Sequence, residues 1–231
     1  MKITVNKLII KNKEEELVNI SFEIKNSLAL VGQSGSGKSL TLKALLNMLP
    51  SNLTQTLDFK ADFKPQRGKN ISIVPQNPFT ALSPLTRIKK QFMLDANEAK
   101  EYMKMVGLET KLLDRYPSEL SGGQLQRVII AISLSSKPKL LLLDEPTTAL
   151  DSDSKRAILE LILELQKKVG YKILFVTHDI EATKELCQDI AILKNGTIVE
   201  RGSVLELFDN PKDDYTKELI ESNFKHRGKR V

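Results

Sequence analysis

Eight consecutive residues, Gly32-Gln33-Ser34-Gly35-Ser36-Gly37-Lys38-Ser39, fit the spacing G-x-x-x-x-G-K-[ST] without a gap. Those residue types together can hold a chain of phosphates. The glycines let the backbone pass close to phosphate oxygens, and a helix beginning near Lys38 would point its free N–H groups at the same anion. Lys38 is expected to reach the β- and γ-phosphates, and the Ser39 hydroxyl to bind Mg²⁺. The residues expected to bind the nucleotide here are Gly32, Ser34, Gly35, Ser36, Gly37, Lys38, Ser39 and Leu40. This is nucleotide chemistry, and the motif alone leaves open what the chemistry drives.

Asp144 and Glu145 close an apolar run, Leu140–Leu143. A carboxylate at the end of a buried strand is placed to hold Mg²⁺ directly or through water, the role expected of Asp144. Glu145 would face the attacking water as general base or water orienter. His178 follows the apolar run Ile173–Val176 and can hydrogen-bond a γ-phosphate or that water. Gln76 follows Ile71–Val74 and can offer a carbonyl oxygen to Mg²⁺.

A second glycine-rich stretch, Leu120-Ser121-Gly122-Gly123-Gln124, precedes Leu125, Val128, Ile129 and Ile132 at helical spacing. Ser121 with Gln124 fits a capping box. One reading is an ordinary helix cap; the other is that two glycines at the helix start leave the backbone bare for an anion's close approach. A second phosphate-type site in a chain that already has one makes sense if it completes another subunit's pocket.

Strands must deliver these residues. Leu28–Val31 runs into the phosphate loop, and Leu140–Leu143 is apolar throughout, as a central parallel strand should be. A helix follows with Ile158, Leu161, Ile162 and Leu165 at i, i+3, i+4 and i+7. Residues 2–10 and 17–24 read as strands of a small antiparallel patch, with 11–16 between them. The stretch from Pro50 to Lys69 reads as polar and poorly periodic except at Leu57–Phe59. Residues 86–135 read as mainly helical, most clearly over 95–106 and 125–134. Asn195-Gly196 between apolar runs marks a tight hairpin, and short helices close the chain. Strands alternating with helices around a phosphate loop define an α/β sheet with helices on both faces.

The chain has 231 residues, enough for one nucleotide-binding domain with an inserted lobe or for two small domains. Lys and Arg number 35 against 29 Asp and Glu, a net charge of +6 that suits an anionic ligand or a membrane surface. With aromatics at 5% and no stacking array, nucleic acid is not the expected partner. The single cysteine, Cys187, gives neither a disulfide framework nor a cysteine-based metal site and reads as a small core residue. No apolar run reaches about 18 residues and no signal-peptide core follows Met1, so the expected place is the cytoplasm. The basic run Lys225–Arg230, with His226, reads as a solvated tail.

Taken together these stretches resemble the ATP-binding subunit of an ABC transporter over nearly the whole chain. Gly32–Ser39 matches Walker A, Gln76 the Q-loop glutamine and Leu120–Gln124 the LSGGQ signature. Leu140–Pro146 matches Walker B with its adjoining catalytic glutamate, Glu145, Ala149-Leu150-Asp151 the D-loop, and His178 the switch histidine. The resemblance implies a P-loop NTPase core with a parallel sheet, a small antiparallel β-subdomain and a helical lobe inserted at about 77–135, all within one domain, 1–231. It implies an Mg²⁺-dependent ATPase with Glu145 and His178 catalytic, and with Ser39, Gln76 and Asp144 as metal ligands. It also implies a head-to-tail pair of ATPase subunits, homodimeric or paralogous. ATP would lie between one subunit's Walker A and the other's Ser121, Gly122, Gly123 and Gln124. The other implied partners are transmembrane permease subunits, docking just after Gln76, and an extracytoplasmic solute-binding protein. Such a subunit sits on the cytoplasmic face of the membrane.

Gln76–Pro84 resembles the Q-N/D-P-x-x-x-L-N-P stretch of the oligopeptide, dipeptide and nickel importer ATPases, with Ser83 where asparagine is common. Asn210–Thr216 resembles their H-P-Y-T segment without the histidine. The expected solutes are nickel, another metal or metal chelate, or peptides. An exporter subunit and a soluble ABC ATPase are the alternatives. A non-catalytic nucleotide-gated scaffold would be expected to lack Glu145 or His178. Members of the family usually carry an adenine-stacking aromatic ahead of the first long strand, and Ile9–Lys13 has none.

Overall fold

The computed structural model describes residues 2–148 and 150–227, with residues 223–227 by backbone only. Ala149, expected in the D-loop, and the side chains of the basic run 225–230 lie outside the described residues. In chain order the elements are β1 (Ile3–Asn12), β2 (Glu15–Ile24), β3 (Ser27–Val31), α1 (Lys38–Leu45), β4 (Leu53–Lys60), β5 (Ile71–Val74), α2 (Pro78–Ala81), α3 (Ala96–Met105), α4 (Gly122–Ser135), β6 (Leu140–Asp144), α5 (Ser152–Val169), β7 (Lys172–Thr177), α6 (Ala182–Leu186), β8 (Asp189–Lys194), β9 (Thr197–Ser203), α7 (Val204–Asp209) and α8 (Asp214–Arg227). They group into two compact units, Met1–Gln66 with Lys172–Val231, and Arg67–Tyr171.

In the first unit, β2, β1 and β4 form an antiparallel sheet in that order. The buried residues of β1 are Ile3 and Val5, then Leu8 and Ile10, so their parity changes midway. A register shift between Val5 and Leu8 absorbs the extra residue and keeps all four on the covered face. β1 and β2 run further than the alternation suggests. They pair to Asn12↔Glu15, leaving Lys13-Glu14 as the turn, with Lys13 at φ 55. The charged run 11–16 conceals this because an exposed hairpin end needs no apolar residues. β4 is a strand where little periodicity is visible, since as an edge strand it buries only alternate residues and those partly.

β3 of the same unit lies between β7 and β8, parallel to both, and β9 closes the group antiparallel to β8. The apolar residues of β3, β7 and β8 are buried, which is why these strands read as unbroken apolar runs. Asn195 and Gly196 turn β8 into β9 with φ 46 and 77, the left-handed pair that a tight hairpin requires. Cys187 is buried, and burial pushes its thiol up, so it serves as a core residue.

In the second unit β5 and β6 pair in parallel. α4 packs beside β5, where the Ser133 hydroxyl donates to the Ile73 carbonyl at 2.9 Å. α2, α3 and α5 pack on α4. The segment 86–135 is less regular than its stripes suggest, because a 3₁₀ turn at Ile88–Lys90 precedes the first long helix and two more, at Thr110–Asp114 and Pro117–Glu119, join it to the second. α5 buries Ile158, Leu161, Ile162 and Leu165. Asp151 caps it, accepting from the Ser154 N–H at 2.9 Å, and that bond holds the carboxyl below its usual range. Gly170 ends it at φ 87. Among the described residues no helix is long and apolar enough to cross a membrane.

β6 carries Asp144 at its end, and Leu141 within it is fully buried. Leu141→Ala is expected to cost about 2–5 kcal/mol, the range for emptying a buried leucine site. A lowered urea midpoint at unchanged slope would show it, and a wild-type midpoint would contradict this view of the core.

Candidate functional site

The phosphate loop leaves the end of β3. Gly32 passes so close to β8 that an added Cβ would lie 2.2 Å from the Leu193 carbonyl oxygen, so no larger residue fits. Gly35 and Gly37 turn the loop at φ 82 and 108. The Ser36 N–H donates to the Gln33 carbonyl at 3.2 Å, and the Gly196 N–H donates to the Ser36 carbonyl at 3.0 Å. The β8–β9 hairpin therefore braces the loop from behind. Lys38 is buried, and its Nζ donates to the carbonyls of Gly32 at 2.7 Å and Gln33 at 2.9 Å. Ser34, Gly35 and Ser39 face solvent, and Leu40 is half-buried.

His178 belongs to the same edge. Val31 pairs with Thr177 across β3 and β7, so Gly32 and His178 leave neighbouring strands at the same level. His178 is exposed. The Thr177 hydroxyl accepts from the Asp179 N–H at 2.9 Å and Asp179 accepts from the Ala182 N–H at 3.2 Å, which fixes the turn around it.

The second unit repeats this plan. Val74 pairs with Leu143, so Gln76 and the pair Asp144-Glu145 leave adjacent strands together. Gln76 Nε2 donates to Glu145 Oε2 at 3.1 Å, and the Thr148 hydroxyl donates to the same oxygen at 3.2 Å. Glu145 sits just past β6 at φ 47, a left-handed conformation that costs a non-glycine residue energy and turns its carboxylate out of the strand. Asp144 ends the strand, half-buried. Thr148 was not legible as a partner of Glu145, since a threonine in a polar loop carries no pattern.

Ser121 caps α4 as the sequence suggests. Its hydroxyl accepts from the Gln124 N–H at 3.3 Å, and Gln124 Oε1 accepts from the Ser121 N–H at 3.0 Å. Gly122 and Gly123 hold no positive φ, and a Cβ on either would meet nothing nearer than 3.8 Å. The fold of this chain does not require glycine at these two positions.

The loop fits an anion. Ser36 is 5% exposed and its buried Oγ has no hydrogen-bond partner, an orphan that a phosphate oxygen would satisfy. Lys38 brings a buried cation to the same turn. Among the described residues no three His, Cys, Asp or Glu side chains cluster to hold a metal alone. Taken unit by unit, the exposed Ser39 hydroxyl in the first, and the Asp144 carboxylate and Gln76 carbonyl oxygen in the second, are hard oxygen donors of the kind Mg²⁺ takes.

A phosphate loop on a parallel-stranded edge, with a carboxylate-ended strand and a capped glycine signature, defines an ABC-type ATP-binding cassette with the P-loop NTPase fold. The ABC transporter family model matches residues 16–148, and the chain belongs to that family. It is similar to the oligopeptide transport ATP-binding protein OppD of Lactococcus lactis subsp. cremoris, at 37% identity over 89% of this chain and 69% of that protein. It is also similar to the methionine import ATP-binding protein MetN of Helicobacter acinonychis, at 40% identity over 96% of this chain and 73% of that protein. Among solved structures it resembles the dimeric post-hydrolysis state of the ATP-binding cassette MJ0796 bound to ADP and Pi. That match has a TM-score of 0.72 at 28% identity and covers 88% of this chain and 99% of that one. Within the family the chain is closely related to the oligopeptide and dipeptide importer ATPases.

The glycines make separable demands. Gly32→Ala is expected to destabilise the nucleotide-free chain by at least about 1–3 kcal/mol, because backbone must move to admit the methyl. Gly123→Ala should be neutral or stabilise by up to about 1 kcal/mol, since the helix admits a Cβ there. Thermal unfolding of both variants without nucleotide checks the contrast, and equal losses would contradict it.

Proposed function

We propose that this chain is the ATP-hydrolysing motor subunit of a peptide importer. It would work at the cytoplasmic face of the membrane with permease subunits, an extracytoplasmic solute-binding protein and a second ATPase subunit. The observation that carries the reading is the signature. Gly122 and Gly123 open the N-terminus of a 14-residue helix, and nothing in the chain's own packing asks for them. Glycines not needed within the chain suit close approach by something outside it, and an anion is what a helix N-terminus attracts. The dimeric, ADP- and Pi-bound state of the similar cassette MJ0796 supports a partner subunit's nucleotide as that anion.

Each residue then has a task. Lys38 and the N–H groups of the loop take the phosphates, and the orphaned Ser36 hydroxyl gains a partner there. Ser39, Asp144 and Gln76 supply oxygens to Mg²⁺, which when bound neutralises charge developing on the phosphates. Glu145 takes the proton of the attacking water, with the donors of Gln76 and Thr148 fixing one of its oxygens. His178 contacts the γ-phosphate or the water. Ser121, Gly122, Gly123 and Gln124 face the nucleotide held by the second subunit.

Peptides are favoured as solute because several of the similar proteins are named for oligopeptide or dipeptide transport. The methionine-import relative, at 40% identity, favours a single amino acid as the second reading. ATPase stimulation of the purified membrane complex by oligopeptides, methionine and Ni²⁺ discriminates them. Stimulation by peptides alone is expected, and stimulation only by methionine or Ni²⁺ would overturn the peptide reading.

Glu145→Gln keeps shape and removes the base. Turnover is expected to fall about 10²–10⁴-fold while ATP still binds and holds the paired subunits together. Sedimentation with ATP and with ADP, beside phosphate release, reads both. Native turnover would remove Glu145 from the mechanism. Lost turnover with no ATP-stabilised dimer, the second subunit supplied, would contradict the shared site.

A further inference from the structure

The phosphate loop is tied to a residue outside the nucleotide motifs, the tyrosine of the Asn210–Thr216 segment. The Gln33 N–H donates to the hydroxyl of Tyr215 at 3.0 Å, across 182 residues of sequence. The carbonyl of the same Gln33 accepts from Lys38 Nζ at 2.9 Å and from the Ser36 N–H at 3.2 Å. Both backbone groups of Gln33 are therefore engaged, one of them by the C-terminal helix.

Tyr215 is itself held firmly. It is 6% exposed. Its N–H donates to Asp213 Oδ1 at 2.9 Å, and the Lys194 ammonium lies 4.7 Å from its ring centroid. One carboxylate, that of Glu200 on β9, accepts from the N–H groups of Lys212 at 2.9 Å and Asp213 at 3.0 Å. The start of α8 is thus moored to β9, and its tyrosine reaches the loop from that mooring. β9 and Lys194 belong to the hairpin whose Gly196 also braces Ser36.

We propose that Tyr215 is a positioning residue for nucleotide binding, holding Gln33 so that the phosphate loop is already shaped for the β-phosphate before a nucleotide arrives. A loop with three glycines in eight residues has many conformations open to it, and only some direct its N–H groups inward. If the free loop occupies the competent form only part of the time, apparent affinity falls by that fraction. The hydroxyl of Tyr215 raises the fraction. Once a triphosphate is seated, Lys38 and the loop N–H groups hold the shape themselves, so the tyrosine matters to binding and little to turnover of bound ATP. The inference rests on the reading that residues 32–39 take the phosphates.

Tyr215→Phe tests it in the full chain, keeping the ring against Lys194 and removing only the hydroxyl. The Kd for Mg·ADP and the KM for ATP should both rise about 2–10-fold, the range for one hydrogen bond. At saturating ATP, kcat should stay within about twofold of wild type. A merely structural bond would instead lower the folded fraction, reducing kcat without moving KM. Lys38→Ala, measured for Mg·ADP binding alongside, tests the reading underneath. If it abolishes binding while Tyr215→Phe binds ADP as wild type does, the role of Tyr215 is overturned and the loop assignment stands. If Lys38→Ala binds ADP normally, the loop assignment falls and the inference with it.

Discussion

Everything at this site depends on an ammonium group kept inside the protein. Taking a lysine charge out of water is costly unless polar groups replace the water. Here the backbone carbonyls of Gly32 and Gln33 do so at 2.7 and 2.9 Å. Carbonyl dipoles solvate an ammonium without cancelling its charge, so the loop retains positive potential for an anion. The loop can bend its carbonyls toward Lys38 only because Gly35 and Gly37 accept positive φ and because Gly32 lies flat against Leu193. The lysine and the glycines are thus one device.

The rest of each unit places chemistry at the C-terminal edge of parallel strands. The register Val31↔Thr177 sets His178 beside the phosphate loop, and Val74↔Leu143 sets Gln76 beside Asp144-Glu145. Buried apolar strands supply rigidity and the loops beyond them supply reactive groups, as in open α/β sheets generally. Gln76 and Thr148 converge on one oxygen of Glu145, whose backbone is already turned to φ 47. Its orientation is therefore fixed by three elements of structure.

What could be read from the sequence was local. The phosphate loop, the Ser121–Gln124 cap, the stripe of α5 and the Asn195-Gly196 hairpin each depend on residues within one or two turns of each other. The ends of β1 and β2 and the whole of β4 were less legible, because solvent-facing and edge strands need little apolar alternation. The change of parity from Val5 to Leu8 was visible in the sequence, and its meaning as a bulge needed the partner strands. Thr148 on Glu145 and Tyr215 on Gln33 were not readable at all. One is a hydroxyl in a polar loop, and the other acts across 182 residues.

No aromatic residue stands between Ile9 and Val18, and the loop provides for phosphate far more than for a base. Binding should accordingly follow the phosphates. Equilibrium titration of the wild-type chain with ADP, GDP and AMP at fixed Mg²⁺ measures this. ADP and GDP should bind within about tenfold of one another. AMP, which lacks the β-phosphate, should bind at least about 100-fold more weakly, as expected when two charge-assisted hydrogen bonds are lost. AMP binding as tightly as ADP would contradict a site built around Lys38.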